Sequence, residues 1–225
     1  MRQSNKKLPG RPNVVGIVDS PRAADLAAKL PPSSVDFLEW RADCLPPGAK
    51  LPPSTVPWLV TARHPAEGGR RSLTSAERRK ILTGHVGQAA AVDIEVRSLH
   101  AMRGVVDKAI RSGVTVVASF HDFKKTPSAA QLQHVVRRAV EGGAGVLKVA
   151  AHTSTPSDIA TLLGLLAPCP IQISVMGMGP LGMASRVLFA SCGSVLNYGW
   201  LDRPNATGQW SAIELADLLR RTGAR

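Results

Sequence analysis

GVTVVASFHDFKKTPSAAQLQHVVRRAVEGGAGVLKVA, residues Gly113–Ala150, contains a strand, a helix and a second strand. Val114–Ser119 is a short β-branched run of strand type. Pro127–Glu141 is rich in Ala, Leu and Val at helical spacing, with Thr126 where an N-cap belongs and Pro127 where a first-turn proline belongs. Gly142–Gly143 stand where a helix ends, and Gly145–Ala150 begins a new apolar run. Two strands joined by one helix lie parallel, with a right-handed crossover.

The same alternation extends in both directions. Strands are expected at Val14–Asp19, Val35–Arg41, Trp58–Arg63, Ala91–Val96, Ile171–Met176 and Ser194–Trp200 as well. Helices are expected at Pro21–Leu30, Thr74–Gly87, Leu99–Ser112, Thr155–Ala167, Leu181–Ser191 and Ser211–Arg220. Ser20, Ser98 and Thr153 or Ser154 sit at N-cap positions, Pro21 and Pro156 in first turns, and Gly113 at a helix end. Eight units in 225 residues predict a single α/β domain, a closed (β/α)₈ TIM barrel over residues 13–225. Residues 1–12 read as a flexible N-terminal arm. The second unit is irregular: in Ala42–Pro57 the pairs Pro46–Pro47 and Pro52–Pro53 exclude a normal helix, so that helix is expected to be abbreviated or missing.

No apolar run is long enough for a membrane span, and the basic N-terminus lacks the apolar stretch of a secretory signal. Three cysteines without C-x-x-C spacing fit a reduced, cytoplasmic protein. The net charge of +12 suits either a nucleic-acid partner or steering of small anions. The cations are scattered, densest from Arg70 to Lys80, and no aromatic stacking platform accompanies them. The expectation is a solvated basic surface, with no nucleic acid and no membrane as partner.

Catalytic groups of such barrels come from the C-terminal ends of the strands, where residues two apart share a face. Glu39 and Arg41, Thr61 and Arg63, Asp93 and Glu95, and Ser119 and His121 form such pairs. Burying that many charges costs several kcal/mol per unpaired ion, so they must neutralise one another or a ligand. Lys148 sits between Val146–Leu147 and Val149–Ala150. It is either a desolvated amine able to attack a carbonyl or a lysine snorkelling from a strand end. His121, placed just after the fifth strand, is either a general acid/base or a surface histidine. The histidines form no metal-binding pattern.

Gly177, Gly179 and Gly182 spell G-x-G-x-x-G, with Asp202 downstream, as in a dinucleotide fingerprint. They fall in the seventh unit, with too little chain left for a doubly wound half. A glycine turn offering backbone N–H groups to an anion, helped by Arg186, is the favoured reading.

FLEWRAD, TARHPAEGG, VDIE, SFHDFKKTP, VLKVA, M-x-M…G-x-x-S-R and a late Gly-Gln pair occur in this order. Together they resemble type I 3-dehydroquinate dehydratases over nearly the whole chain. The resemblance implies a cofactor-free, metal-free lyase of the shikimate pathway, which forms aromatic amino-acid precursors by syn dehydration of 3-dehydroquinate to 3-dehydroshikimate. It implies Lys148 as Schiff-base lysine, His121 as general acid/base and Glu67 as the carboxylate that orients it. Glu39, Arg41 and Arg63 would bind ring hydroxyls. Met176, Met178 and Tyr198 would line the pocket, Arg186 would grip the substrate carboxylate, and Asn205 and Gln209 would belong to a closing loop. A homodimer is implied too. Asn205 and Thr207 stand where the family usually has serine and proline, which predicts a less pre-organised lid. Other Schiff-base barrels, such as aldolases, would share the lysine but lack the E-W-R and H-D-F-x-x-T-P set.

Overall fold

The computed structural model describes residues 7–31 and 33–225. Its elements are β1 (Asn13–Val18), α1 (Pro21–Lys29), β2 (Phe37–Arg41), β3 (Trp58–Thr61), α2 (Ser75–His85), β4 (Ala91–Glu95), α3 (Arg103–Arg111), β5 (Thr115–Asp122), α4 (Ala129–Glu141), β6 (Val146–His152), α5 (Pro156–Leu163), β7 (Gln172–Met178), α6 (Gly182–Ser191), β8 (Leu196–Trp200) and α7 (Ala212–Arg221). The strands form one parallel sheet in the order β7-β6-β5-β4-β3-β2-β1-β8. The chain is the expected (β/α)₈ barrel.

The barrel closes at the β7/β8 seam largely through serines. The Ser174 hydroxyl donates to Leu196 O at 2.6 Å, Ser194 Oγ accepts from Val175 N at 3.0 Å, and Val195 N donates to Ile173 O at 3.0 Å. β1 and β4 are buried along their whole length, as parallel strands covered on both faces must be.

No helix joins β2 to β3. The paired prolines cannot supply the hydrogen bonds a helix needs, and the loop covers the barrel with side chains instead. Leu45 and Val56 are buried, Trp58 Nε1 donates to Pro52 O at 3.2 Å, and Trp58 meets Trp40 edge to face with ring centres 5.6 Å apart.

Local signals place most helix starts within a turn. Ser20 caps α1 and Pro21 opens it. Elsewhere a neighbouring residue is the cap: Ser128 rather than Thr126 for α4, and Thr155 rather than Thr153 or Ser154 for α5. Both form a capping box with the residue three further on, Gln131 and Asp158, which Thr126 and Ser154 do not. Such a cap contributes about 1 kcal/mol. Ser98 caps nothing; α3 starts at Arg103, and the Ser98 hydroxyl accepts from Arg78 at 3.2 Å.

Residues 1–6 of the expected arm lie outside the described residues. Residues 7–12 are not a free arm. Leu8 is buried in the apolar cluster of the barrel interior that includes Val15, Phe37, Leu59 and Val146. Its backbone is held on both sides by the Gln172 amide, at 2.8 and 3.0 Å. The lower barrel is therefore apolar and plugged, which leaves the C-terminal mouth for polar groups.

Candidate active site

β5 and β6 run two or three residues beyond their expected ends, so His121 lies within β5 rather than after it. Register pairs Ser119 with Lys148 and His121 with Ala150. The imidazole thus stands one side-chain layer, roughly 6–7 Å, further toward the mouth than the amine. A cavity of about 170 Å³ opens above them. All twelve site residues expected from the sequence line it. They are Glu39, Arg41, Arg63, Glu67, His121, Lys148, Met176, Met178, Arg186, Tyr198, Asn205 and Gln209.

Lys148 is buried, 4% exposed, so it does not snorkel. Its Nζ lies 3.4 Å from Asp93 Oδ2, 3.9 Å from Glu39 Oε1 and 4.0 Å from the centre of the Tyr198 ring. Burial lowers its pKa; Glu39 and Asp93 oppose that shift, and Arg63 and Arg41 reinforce it. The Tyr198 hydroxyl is buried without a hydrogen-bond partner among the described residues.

Below the lysine the charges form a chain. Arg63 grips Asp93 with both terminal nitrogens, at 2.8 and 2.9 Å, and also reaches Glu95 at 3.1 Å and the Ser119 hydroxyl. Ser119 donates to Asp93 at 2.6 Å, and Thr61 donates to Glu39 at 2.7 Å. Burial by itself would raise the Asp93 pKa, but Arg63 and Lys148 hold it well below the carboxylate range. Arg41 forks onto Asp43 at 2.8 and 3.0 Å, and Asp43 also accepts from the backbone N–H groups of Arg63 and Arg70. Those contacts overcome burial and bring Asp43 to about 2. Arg41 and Arg63 are thus largely committed to carboxylates of the protein. Asp43 and Arg78 were not expected in this framework; Asp93, Glu95 and Ser119 were visible in the sequence as strand-face partners.

His121 Nδ1 meets Glu67 Oε2 at 3.0 Å, and the His121 backbone N–H donates to the same oxygen at 3.1 Å. Glu67 ends a short 3₁₀ turn, Pro65–Glu67. Burial raises its pKa to about 7. Burial, with Arg63 and Lys148, pushes His121 well below its ordinary value. A neutral imidazole held through Nδ1 leaves Nε2 free to take a proton. Phe123 stacks on the ring at 6.1 Å. A larger groove, about 600 Å³, lies outside the barrel against α4; it shares Glu67 and His121 with the mouth but lacks Lys148.

Arg186, on α6, is buried, and its guanidinium donates to carbonyls, Tyr198 O at 2.9 Å and Gly208 O at 3.2 Å. It has no carboxylate partner among the described residues, and burial lowers its pKa to about 10. Asn205, Ala206 and Gln209 of the loop 205–209 line the mouth. Asn205 N donates to Gln209 Oε1 at 3.2 Å, so one end of the Gln209 amide is spent inside the loop.

The G-x-G-x-x-G turn is not a nucleotide cradle. The N–H groups of Gly179, Leu181 and Gly182 donate to Thr207 O, Thr153 O and Gly179 O, so they are not offered to an anion either. The glycines seat the lid: a Cβ on Gly182 would meet Gly208 O at 2.6 Å, and Gly208 itself sits at φ +74°. Asp202 accepts from Ser20 Oγ and pairs with Arg22.

Fold and mouth together define a (β/α)₈-barrel enzyme built around a buried lysine and an imidazole–carboxylate pair. The model of the family "Type I 3-dehydroquinase" matches residues 16–224, and the chain belongs to that family. A 3-dehydroquinate dehydratase of Methanocella arvoryzae is 31% identical over 220 residues, 95% of this chain and 98% of that protein. One from Methanothermobacter thermautotrophicus is 32% identical over 196 residues, covering 84% and 86%. The crystal structure of 3-dehydroquinate dehydratase from Geobacillus kaustophilus superposes with a TM-score of 0.83 at 25% identity, covering 100% of both chains.

Proposed function

We propose that this chain dehydrates 3-dehydroquinate to 3-dehydroshikimate through an imine on Lys148, with His121 as the proton carrier. The observation that carries the reading is the buried Lys148 amine, held between carboxylates at the floor of a cavity whose wall holds His121.

The amine attacks the C3 ketone carbon, and the carbinolamine loses water to give a protonated imine. That imine withdraws electrons and acidifies the C2 proton. His121 takes the proton, leaving an enamine. The enamine reforms the imine as the C1–O bond breaks, and His121 returns its proton to the departing hydroxyl, so water leaves. Because one imidazole serves both steps, elimination is syn. A second water hydrolyses the imine and frees Lys148.

The charges suit this path. Arg41, Arg63, Arg78 and a cationic Lys148 face Glu39, Asp43, Asp93 and Glu95, four against four. An iminium keeps the charge of the ammonium, so the framework stays balanced during covalent catalysis. Arg186 is the surplus cation, suited to the substrate carboxylate through a charge-assisted pair. The Tyr198 hydroxyl and the uncommitted end of Gln209 are free to bind substrate hydroxyls. A cytoplasmic setting and a homodimer belong to the same proposal; no helix among the described residues is long and apolar enough to cross a membrane.

Borohydride added during turnover of 3-dehydroquinate tests the mechanism. A reduced adduct on Lys148, seen by mass spectrometry and absent from Lys148→Ala, is expected. An active enzyme whose lysine stays unmodified would refute it.

A further inference from the structure

α2 carries a guanidinium that no surface role explains. Its neighbours Arg79 and Lys80 are exposed, yet Arg78 is fully buried. Every nitrogen has a partner: Nε donates to Ala62 O at 2.7 Å, Nη1 to Ser98 Oγ at 3.2 Å, and Nη2 pairs with Glu95 Oε2. Glu95 in turn accepts from Arg63 at 3.1 Å and from His64 N at 2.8 Å through its other oxygen. Arg63 holds Asp93, and Asp93 Oδ2 faces Lys148 Nζ. A continuous path of paired charges therefore runs from a helix outside the barrel to the amine inside it.

We propose that Arg78 is a positioning residue for the reaction: acting through Glu95, Arg63 and Asp93, it balances the buried charge around Lys148 and so keeps the amine available to the ketone. The proposal rests on Lys148 being the imine-forming group. The groups facing Lys148 are Glu39 and Arg41 from β2, Arg63 beyond β3, Asp93 from β4, His121 from β5, Tyr198 from β8, and Glu67 and Arg186 at the rim; Glu95 of β4 stands behind Arg63. Arg78 offsets Glu95. Without it, Glu39, Asp43, Asp93 and Glu95 face only Arg41, Arg63 and Lys148, and the surplus negative charge favours the ammonium over the amine. A unit charge roughly 10 Å away at an effective dielectric of about 20 shifts a pKa by about one unit. Arg78 does not line the cavity at the mouth, so it acts on Lys148 through this chain.

The test follows the rate at which 3-dehydroquinate and cyanoborohydride trap Lys148, measured against pH. Arg78→Met should move the acid limb of that profile up by about one pH unit, and slow trapping at neutral pH about tenfold. Glu95→Gln, which keeps acceptors for Arg63 and His64, should move the limb down. Arg78→Met/Glu95→Gln, neutral overall, should bring it back to the parent position. If Arg78→Met does not fold, the opposite displacement in Glu95→Gln and its absence in the double variant still decide. A purely structural role predicts lower rates with an unmoved limb in all three variants, and that result overturns the proposal. A parent enzyme that forms no Lys148 adduct overturns the lysine reading and this inference together; an adduct in the parent with unmoved limbs overturns this inference alone.

Discussion

Glu67 and His121 are displaced in opposite directions by the same burial, and the consequence is measurable in stability. Glu67 rises from an ordinary 4.5 to about 7. Between those values the folded chain holds a proton that the unfolded chain releases, so stability falls as pH rises through the window. His121 drops well below 6.5. Under that pH the unfolded chain binds a proton that the folded chain refuses, so its contribution is lost as pH falls. The two slopes oppose each other, each at most about 1.4 kcal/mol per pH unit, so from about pH 5 to 6.5 the net slope of the pair should be smaller than either slope alone. Glu67→Gln should make stability rise with pH across that range, and His121→Asn should make it fall. Urea titrations at half-unit steps check this; slopes of the same sign in the two variants would show that the groups do not titrate as their burial demands.

At the scale of elements, the expected lid, loop 205–209, rests on the turn before α6. Loop 205–209 has no helix or strand of its own and leans on Gly179 and Gly182, with Gly179 N–H donating to Thr207 O at 3.0 Å. That bond and the Asn205–Gln209 bond hold a loop that lacks a proline at Thr207. Gly182→Ala puts a Cβ at 2.6 Å from Gly208 O, and backbone must move. The loop is the easier part to displace, because Arg186 and the inner face of α6, with Ser185 and Phe189, are buried. The variant should raise KM about tenfold, lower kcat less, and leave unfolding within about 1 kcal/mol of the parent. A KM unchanged in steady-state kinetics would mean that the lid is not seated on this turn. The same turn shows what the sequence could and could not reveal. Strands, helices and the missing second helix were legible because apolar periodicity and proline act locally. The G-x-G-x-x-G pattern was ambiguous because its partner, Gly208, lies far along the chain. Arg78 was hidden for a similar reason: it stands in the basic stretch Arg70–Lys80, where Arg79 and Lys80 are indeed exposed, and only its contacts with Glu95 of β4 and the Ala62 carbonyl beyond β3 single it out. Lys148 and His121 could be found because strand ends in this fold converge, whereas the depth of the charge chain beneath them depends on register.

The whole molecule carries +12, yet the interior framework below the substrate site is balanced. The excess therefore lies outside that framework, Arg186 included. A basic exterior around a mouth with one unpaired guanidinium attracts a small carboxylate over several ångströms before any contact forms. Such steering acts on encounter and not on the covalent steps, which take place among buried groups that salt screens little. Raising ionic strength from about 10 mM to about 500 mM shrinks the screening length from about 30 Å to a few ångströms. Over that range kcat/KM should fall severalfold while kcat stays within about twofold. The dependence should weaken in Arg186→Met, where binding has lost its terminal charge. A nucleic-acid partner would instead appear as salt-sensitive retention on DNA or RNA, with kcat/KM indifferent to salt. Stopped-flow or steady-state assays in a neutral chloride series separate the two, and a flat kcat/KM would leave the basic surface without a role in substrate capture.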